Sequence, residues 1–142
     1  MDSYEIQFIR KVDDYSRALN RLIKAAHIVK SVSEVPDMMK DVETVLKEGM
    51  VKRFEFTCRS VCDVMVCYLE NHDCKNLHGM RDVFAKAAEM KLIEDEAWMQ
   101  LPLDLEKMSK FYSVPMLDKV SENITNIYIP LLEDFRHKMM TE

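Results

Sequence analysis

Glycine is almost missing from this 142-residue chain: there are two, Gly49 and Gly79, alongside four prolines. A β-sandwich or barrel needs turn residues roughly every 8–12 positions, so these architectures are excluded. The two glycines also stand too far apart for a GxGxxG or GxxxxGK[ST] phosphate loop. No apolar run reaches the roughly 18–20 residues that cross a membrane. The opening MDSYEIQFIRKVDDY lacks the basic-then-apolar order of a signal peptide. The expectation is a soluble, cytoplasmic protein with no membrane contact. An excess of positive charge is missing too: 20 basic against 25 acidic residues give a net charge of -5. That balance gives no extended nucleic-acid surface, although a local basic patch is compatible with it.

CxxC is the last absence. Cys58, Cys62, Cys67 and Cys74 cluster in the middle of the chain, and Cys58 and Cys62 stand at i, i+4. The nearest histidines, His72 and His78, fall in a polar connection rather than at ligand spacing. Cysteine packs readily as a small hydrophobe, so these four read as core residues, and neither a metal nor another cofactor is expected.

What is present is 48% hydrophobic and 32% charged residues with 12 methionines, the composition of a compact helical protein. From Tyr4 to Val32, apolar residues such as Val12, Tyr15, Leu19, Leu22 and Val29 recur at spacings of three and four. Pro36 marks the first break, because the residue before a proline avoids the helical region. The pattern resumes from Val42 to Asn71, about 45 Å of helix at 1.5 Å per residue, with Gly49 as a candidate bend. A shorter helix is expected over Gly79 to Lys91. Another begins near Trp98, behind the acidic run Glu94-Asp95-Glu96, with an interruption near Pro102. The last carries Leu117, Val120, Ile124, Tyr128, Leu132 and Phe135, with a kink expected at Pro130. Four principal helices with short connections predict an all-α, antiparallel four-helix bundle with a short extra helical segment, a single domain over residues 1–142. The methionine pairs Met38-Met39 and Met139-Met140 suit adaptable packing or a protein interface.

Several stretches carry a resemblance. Glu48-Gly49-Met50-Val51-Lys52-Arg53-Phe54-Glu55-Phe56-Thr57 resembles the EG-x-x-x-RFE-[FY]-[TS] signature of the nucleotidyltransferase substrate-binding protein family, a branch of the HEPN superfamily. Asp14 to Leu22 looks like its opening helix, and Tyr68-Leu69-Glu70 like the end of its second. Ala87 to Trp98 resembles its A-x-x-x-G-L-I-x-D-x-x-x-W segment, and Ile127 to Leu132 its closing Y-x-P-x-L. The resemblance implies a HEPN-type helical bundle, a homodimer, that accompanies a minimal nucleotidyltransferase and helps to bind its nucleotide or substrate. Some relatives are RNase toxins of toxin-antitoxin pairs and carry a late R-x4-H-x-Y motif.

The chain departs from that motif. Aligned on Asp104 and Tyr112, Leu105 stands at the arginine, Glu106 at an asparagine and Lys110 at the histidine. Cleavage through a ribose 2′-hydroxyl needs a group that exchanges a proton near neutral pH, as histidine does. Lysine does so only when burial strips its charge, and Glu106 one turn away opposes that. The ribonuclease alternative is therefore disfavoured. Where relatives show F-E-L-x-W-K, this chain reads Cys58-Arg59-Ser60-Val61-Cys62-Asp63. Arg59 and Asp63 then stand at i, i+4 with exchanged charges, a spacing that allows an ion pair.

The candidate nucleotide- or partner-binding residues are Arg53, Glu55, Arg59, Asp63, Asp104, Lys110 and Tyr112. Arg53 either holds a phosphate or acidic group in bidentate fashion or, paired with Glu55, sets helix register. Tyr112 matches the position that resembles an adenylylation site, but reads more simply as a core aromatic with a wet hydroxyl. Trp98 reads as a packing anchor. The expected function is a noncatalytic nucleotide- or substrate-binding subunit of a minimal nucleotidyltransferase; the alternatives are an RNase toxin and a purely structural dimeric bundle.

Overall fold

The first helix, α1, runs over Ser3–Ser33. Asp2 caps it, its carboxylate accepting the Glu5 N–H at 2.8 Å, which satisfies one of the amides a helix start leaves unpaired. The computed structural model describes residues 2–35 and 39–141. The Pro36 break and Met38 lie outside the described residues. The apolar stripe of α1 is buried, with Tyr15, Leu19 and Leu22 fully covered.

The second helix, α2, spans Lys40–Asn71. It continues through Gly49 as one element. Two bonds fix its direction against α1: Thr57 Oγ1 donates to the Ala18 carbonyl at 3.2 Å, and Arg53 Nη1 to the Arg21 carbonyl at 2.9 Å. Numbers rise on one helix as they fall on the other, so the pair is antiparallel. Met50, Phe54, Cys58, Val61, Met65 and Leu69 supply its buried face.

Shorter helices close the bundle: α3 at Gly79–Glu89, α4 at Ala97–Lys110, α5 at Val114–Asn123 and α6 at Ile129–Thr141. Among the described residues there is no strand, and the chain is an all-α bundle. Trp98 anchors it, packing edge-on against Phe84 at 5.2 Å and Phe135 at 5.6 Å between ring centres.

One proline expectation needs correcting. Pro102 does not interrupt α4, which runs unbroken through it. The single bond that proline forgoes is offset by burial of Trp98, Leu101 and Pro102 itself on the core side. Before Pro130, residues Ile124–Tyr128 widen into one π-helical stretch, in which the Ile129 N–H reaches back to the Ile124 carbonyl. Proline offers no N–H to the carbonyl four residues back and crowds it, so the wider turn relieves both problems without ending the helix.

Lys91 occupies the position where the resemblance places a glycine. Its φ is +60°. The Lys91 N–H bonds the Ala88 carbonyl at 3.0 Å and the Leu92 N–H the Ala87 carbonyl at 2.9 Å, which closes α3 by a left-handed turn. Lys138 Nζ then donates to the Leu92 carbonyl at 2.9 Å and ties α6 to this turn.

Candidate functional site

Helix α2 forms a wall of two grooves that differ in chemistry. On the α4 side the family-like landmarks meet in the interior. Phe54 stacks on Tyr128, with ring centres 5.3 Å apart and planes at 18°. Tyr128 Oη donates to Asp104 Oδ2 at 2.6 Å, and Asn123 Nδ2 donates to the same oxygen at 3.0 Å. Asp104 is 3% exposed. Burial and the bond to Asp104 push the Tyr128 phenol well above its ordinary range. This side chain therefore joins α4 to the π-helical turn and offers little to a ligand.

Above this node lies a surface groove of about 230 Å³ lined by Glu48, Val51, Glu55, Leu105, Met108 and Tyr112 among others. Tyr112 is not a core aromatic. It is 48% exposed, because the chain leaves α4 at Lys110 and turns outward before Ser113 caps α5. Its hydroxyl donates to Glu48 Oε2 at 2.6 Å, and that bond raises the phenol pKa. Lys110 Nζ lies 3.0 Å from Glu106 Oε1, and Arg81 holds the other oxygen of the same carboxylate. Bonded to Lys110 and close to Arg81, the Glu106 carboxyl sits below its usual range. Lys110 itself is exposed.

Arg53 faces α1. It does not pair with Glu55: residues two apart on a helix point in different directions. Its guanidinium donates to the Arg21 carbonyl, while Glu55 lies 3.4 Å from Lys52 and 4.0 Å from Arg59 on its own helix. The expected ion pair between Arg59 and Asp63 is not formed among the described residues. Arg59 leans back toward Glu55, the orientation in which an acid precedes the base by one turn and both complement the helix dipole.

Arg59 and Asp63 instead line the second groove, between α1 and α2, together with Asp14, Arg17, Arg21 and Phe56. Its volume is about 420 Å³. Arg17, Arg21 and Phe56 were not singled out from the sequence. The available signal was the i, i+4 arginine pair on one helix facing an i, i+3 aromatic-arginine pair on the next. Antiparallel packing is what brings the two pairs together.

The cysteines lie on the core side of α2 and beyond its end. Cys58 and Cys67 are buried, and Cys62 and Cys74 are partly so. Burial pushes the Cys58 thiol up and that of Cys62 to about 12, which disfavours the thiolate needed for nucleophilic or metal chemistry. Among the described residues no three His, Cys, Asp or Glu side chains gather as a metal cluster.

A family model described as nucleotidyltransferase substrate binding protein like matches residues 10–141. The chain belongs to that family. A search of curated proteins gives no match. The matched residues include the lining of both grooves. Among the described residues no helix is long and apolar enough to cross a membrane.

Proposed function

We propose that this single-domain chain is a noncatalytic substrate-binding companion of a minimal nucleotidyltransferase, acting in the cytoplasm as a HEPN-type homodimer. Membership of the substrate-binding family supports the partner class. The observation that carries the noncatalytic reading is the state of the three α4-end residues that stand where the resemblance places the ribonuclease motif. Leu105 offers no charge, Lys110 is exposed and paired with Glu106, and Tyr112 is bonded to Glu48. Proton exchange with a ribose hydroxyl near neutral pH has no suitable donor or acceptor among these residues. Of the candidate binding residues, Arg59 and Asp63 line the α1/α2 groove, Arg53 braces it, and Glu55 and Tyr112 line the other; Lys110 pairs with Glu106 outside that lining, and Asp104 serves the core.

Support for self-association comes from the end of the bundle where α1 begins and α6 ends. There Ile9 is 55% and Met140 63% exposed, beside grooves lined by Phe8, Tyr68 and Met139. A second copy covering these side chains would remove apolar surface from water.

The test is co-expression with a minimal nucleotidyltransferase from the same genome, followed by purification and sizing. A stoichiometric complex containing two copies of this chain is expected. A stable monomer that forms no complex overturns the reading. Expression of the chain alone should leave growth and RNA intact; RNA decay would restore the ribonuclease alternative.

A further inference from the structure

The α1/α2 groove is lined by three arginines and two aspartates in a protein whose net charge is -5. Helix α1 carries six basic against three acidic residues, and Arg17 and Arg21 stand one turn apart on it. Arg59 faces them from α2. Beside these guanidinium groups sits Phe56, 58% exposed, an expensive place for an aromatic ring unless something covers it. A volume of about 420 Å³ falls within the size of small-ligand sites.

The groove has a direction. The Thr57-Ala18 and Arg53-Arg21 bonds fix the register of the two helices. That register puts Phe56 and Arg21 toward one end, Arg17 and Arg59 in the middle, and Asp14 and Asp63 at the other end. A planar ring on Phe56 would set its attached phosphates against the central arginines. The two carboxylates beyond them repel any further phosphate, whether of a long polyphosphate or of a nucleic-acid strand.

The arginines are also available. Arg17 is held to Asp13 at 2.7 Å, but those side chains are 71% and 56% exposed. Arg59 reaches Glu55 only at 4.0 Å. Exposed pairs of this kind are weak in water, so a phosphate that accepts two parallel N–H bonds displaces them readily.

We infer that the α1/α2 groove binds a nucleoside mono- or diphosphate, its base on Phe56 and its phosphates on Arg17, Arg21 and Arg59. The inference rests on the substrate-binding reading and deepens it by naming the site and the ligand class.

Calorimetric titration of the full chain without any transferase, using ADP, pyrophosphate and adenosine as separate probes, tests it. ADP saturates the chain in the submillimolar range. Arg17→Gln and Arg59→Gln, which keep the helix-forming stems, each weaken ADP about tenfold or more. Phe56→Ala weakens ADP about fivefold and leaves pyrophosphate unchanged, since only the base stacks. Circular dichroism confirms that each variant stays helical. Absence of saturable ADP binding, or binding indifferent to both arginine substitutions, overturns the inference. Tighter binding of a ten-residue oligonucleotide or of an acidic peptide than of ADP overturns the ligand class. Complex formation with the transferase is a separate readout: its loss with ADP binding intact would sink the partner reading alone.

Discussion

The two grooves beside α2 teach different things about polar residues in a helical bundle. On the α4 side the polar group that matters to the fold is interior and satisfied within the chain: Asp104 accepts from Tyr128 and Asn123. On the α1 side Arg17, Arg21 and Arg59 line a groove with an exposed phenylalanine, and the ion pairs of Arg17 and Arg59 are solvent-exposed. A polar group already satisfied inside the fold contributes to stability, because removing its partner strands a buried donor or acceptor. One left facing solvent costs the fold little and keeps its bonding capacity for a ligand.

Substitutions on the two sides separate stability from binding. The largest expected effect is Asp104→Ala, which leaves the Tyr128 hydroxyl and Asn123 amide without their acceptor in the interior. It should lower unfolding free energy by about 3 kcal/mol, read by urea denaturation, while the α1/α2 groove keeps its shape. A loss below about 1 kcal/mol would mean that water or another group replaces the carboxyl, and would erase the contrast.

Alkali should act on the interior and spare the arginines. Tyr128 and Tyr15 hold phenol pKa values raised by burial, and the thiols of Cys58 and Cys62 are raised likewise. The folded chain therefore keeps protons that the unfolded chain releases from about pH 9 upward. Stability contributed by these groups is fully present below that pH and is lost as pH rises above it. Urea midpoints compared at pH 8 and 10.5 should fall, and Tyr128→Phe should reduce the slope. Arginine keeps its charge throughout, so the α1/α2 groove stays cationic.

Lys91→Gly lies outside both grooves and calibrates the scale. It removes the left-handed strain at φ +60° and should raise stability by about 1 kcal/mol, seen as a higher thermal midpoint. Arg17→Gln, Arg59→Gln and Phe56→Ala should each change stability by less than about 0.5 kcal/mol. A larger loss would make these residues structural and break the comparison from the other side. Tyr112→Phe should leave the melting curve unchanged, because its bond to Glu48 is made in solvent.

Much of the architecture was legible in advance. Spacings of three and four placed α1 within one residue of each end, and the start of α3 at Gly79 matched. Trp98 as an anchor followed from its setting among apolar residues. The sequence reading of Pro102 fails because local propensity counts only the hydrogen bond lost, whereas burial of Trp98, Leu101 and Pro102 in the packed bundle offsets it. At Pro130 the irregularity the sequence points to takes the form of a π-helical turn. The candidate site was less legible. Arg59 and Asp63 stand among the candidate binding residues, and the ion pair their spacing allows is replaced by places on a groove whose other wall is α1. Asp104 was named as a binding residue, yet its partners on the π-helical turn make it part of the interior.

Composition and periodicity by themselves determined that the chain is helical, that it has no glycine-rich phosphate loop, and which face of each helix is apolar. Those are local properties, set by backbone freedom and by side chains that recur with the turn of a helix. Which arginines meet, and which carboxylate is buried, only the tertiary structure decided. Antiparallel register sets Arg17 and Arg21 opposite Arg59, and the return of the last helices sets Tyr128 over Asp104. Electrostatics and hydrogen bonding act through distances of a few ångströms, and such distances between residues far apart in the chain exist only once the helices have packed.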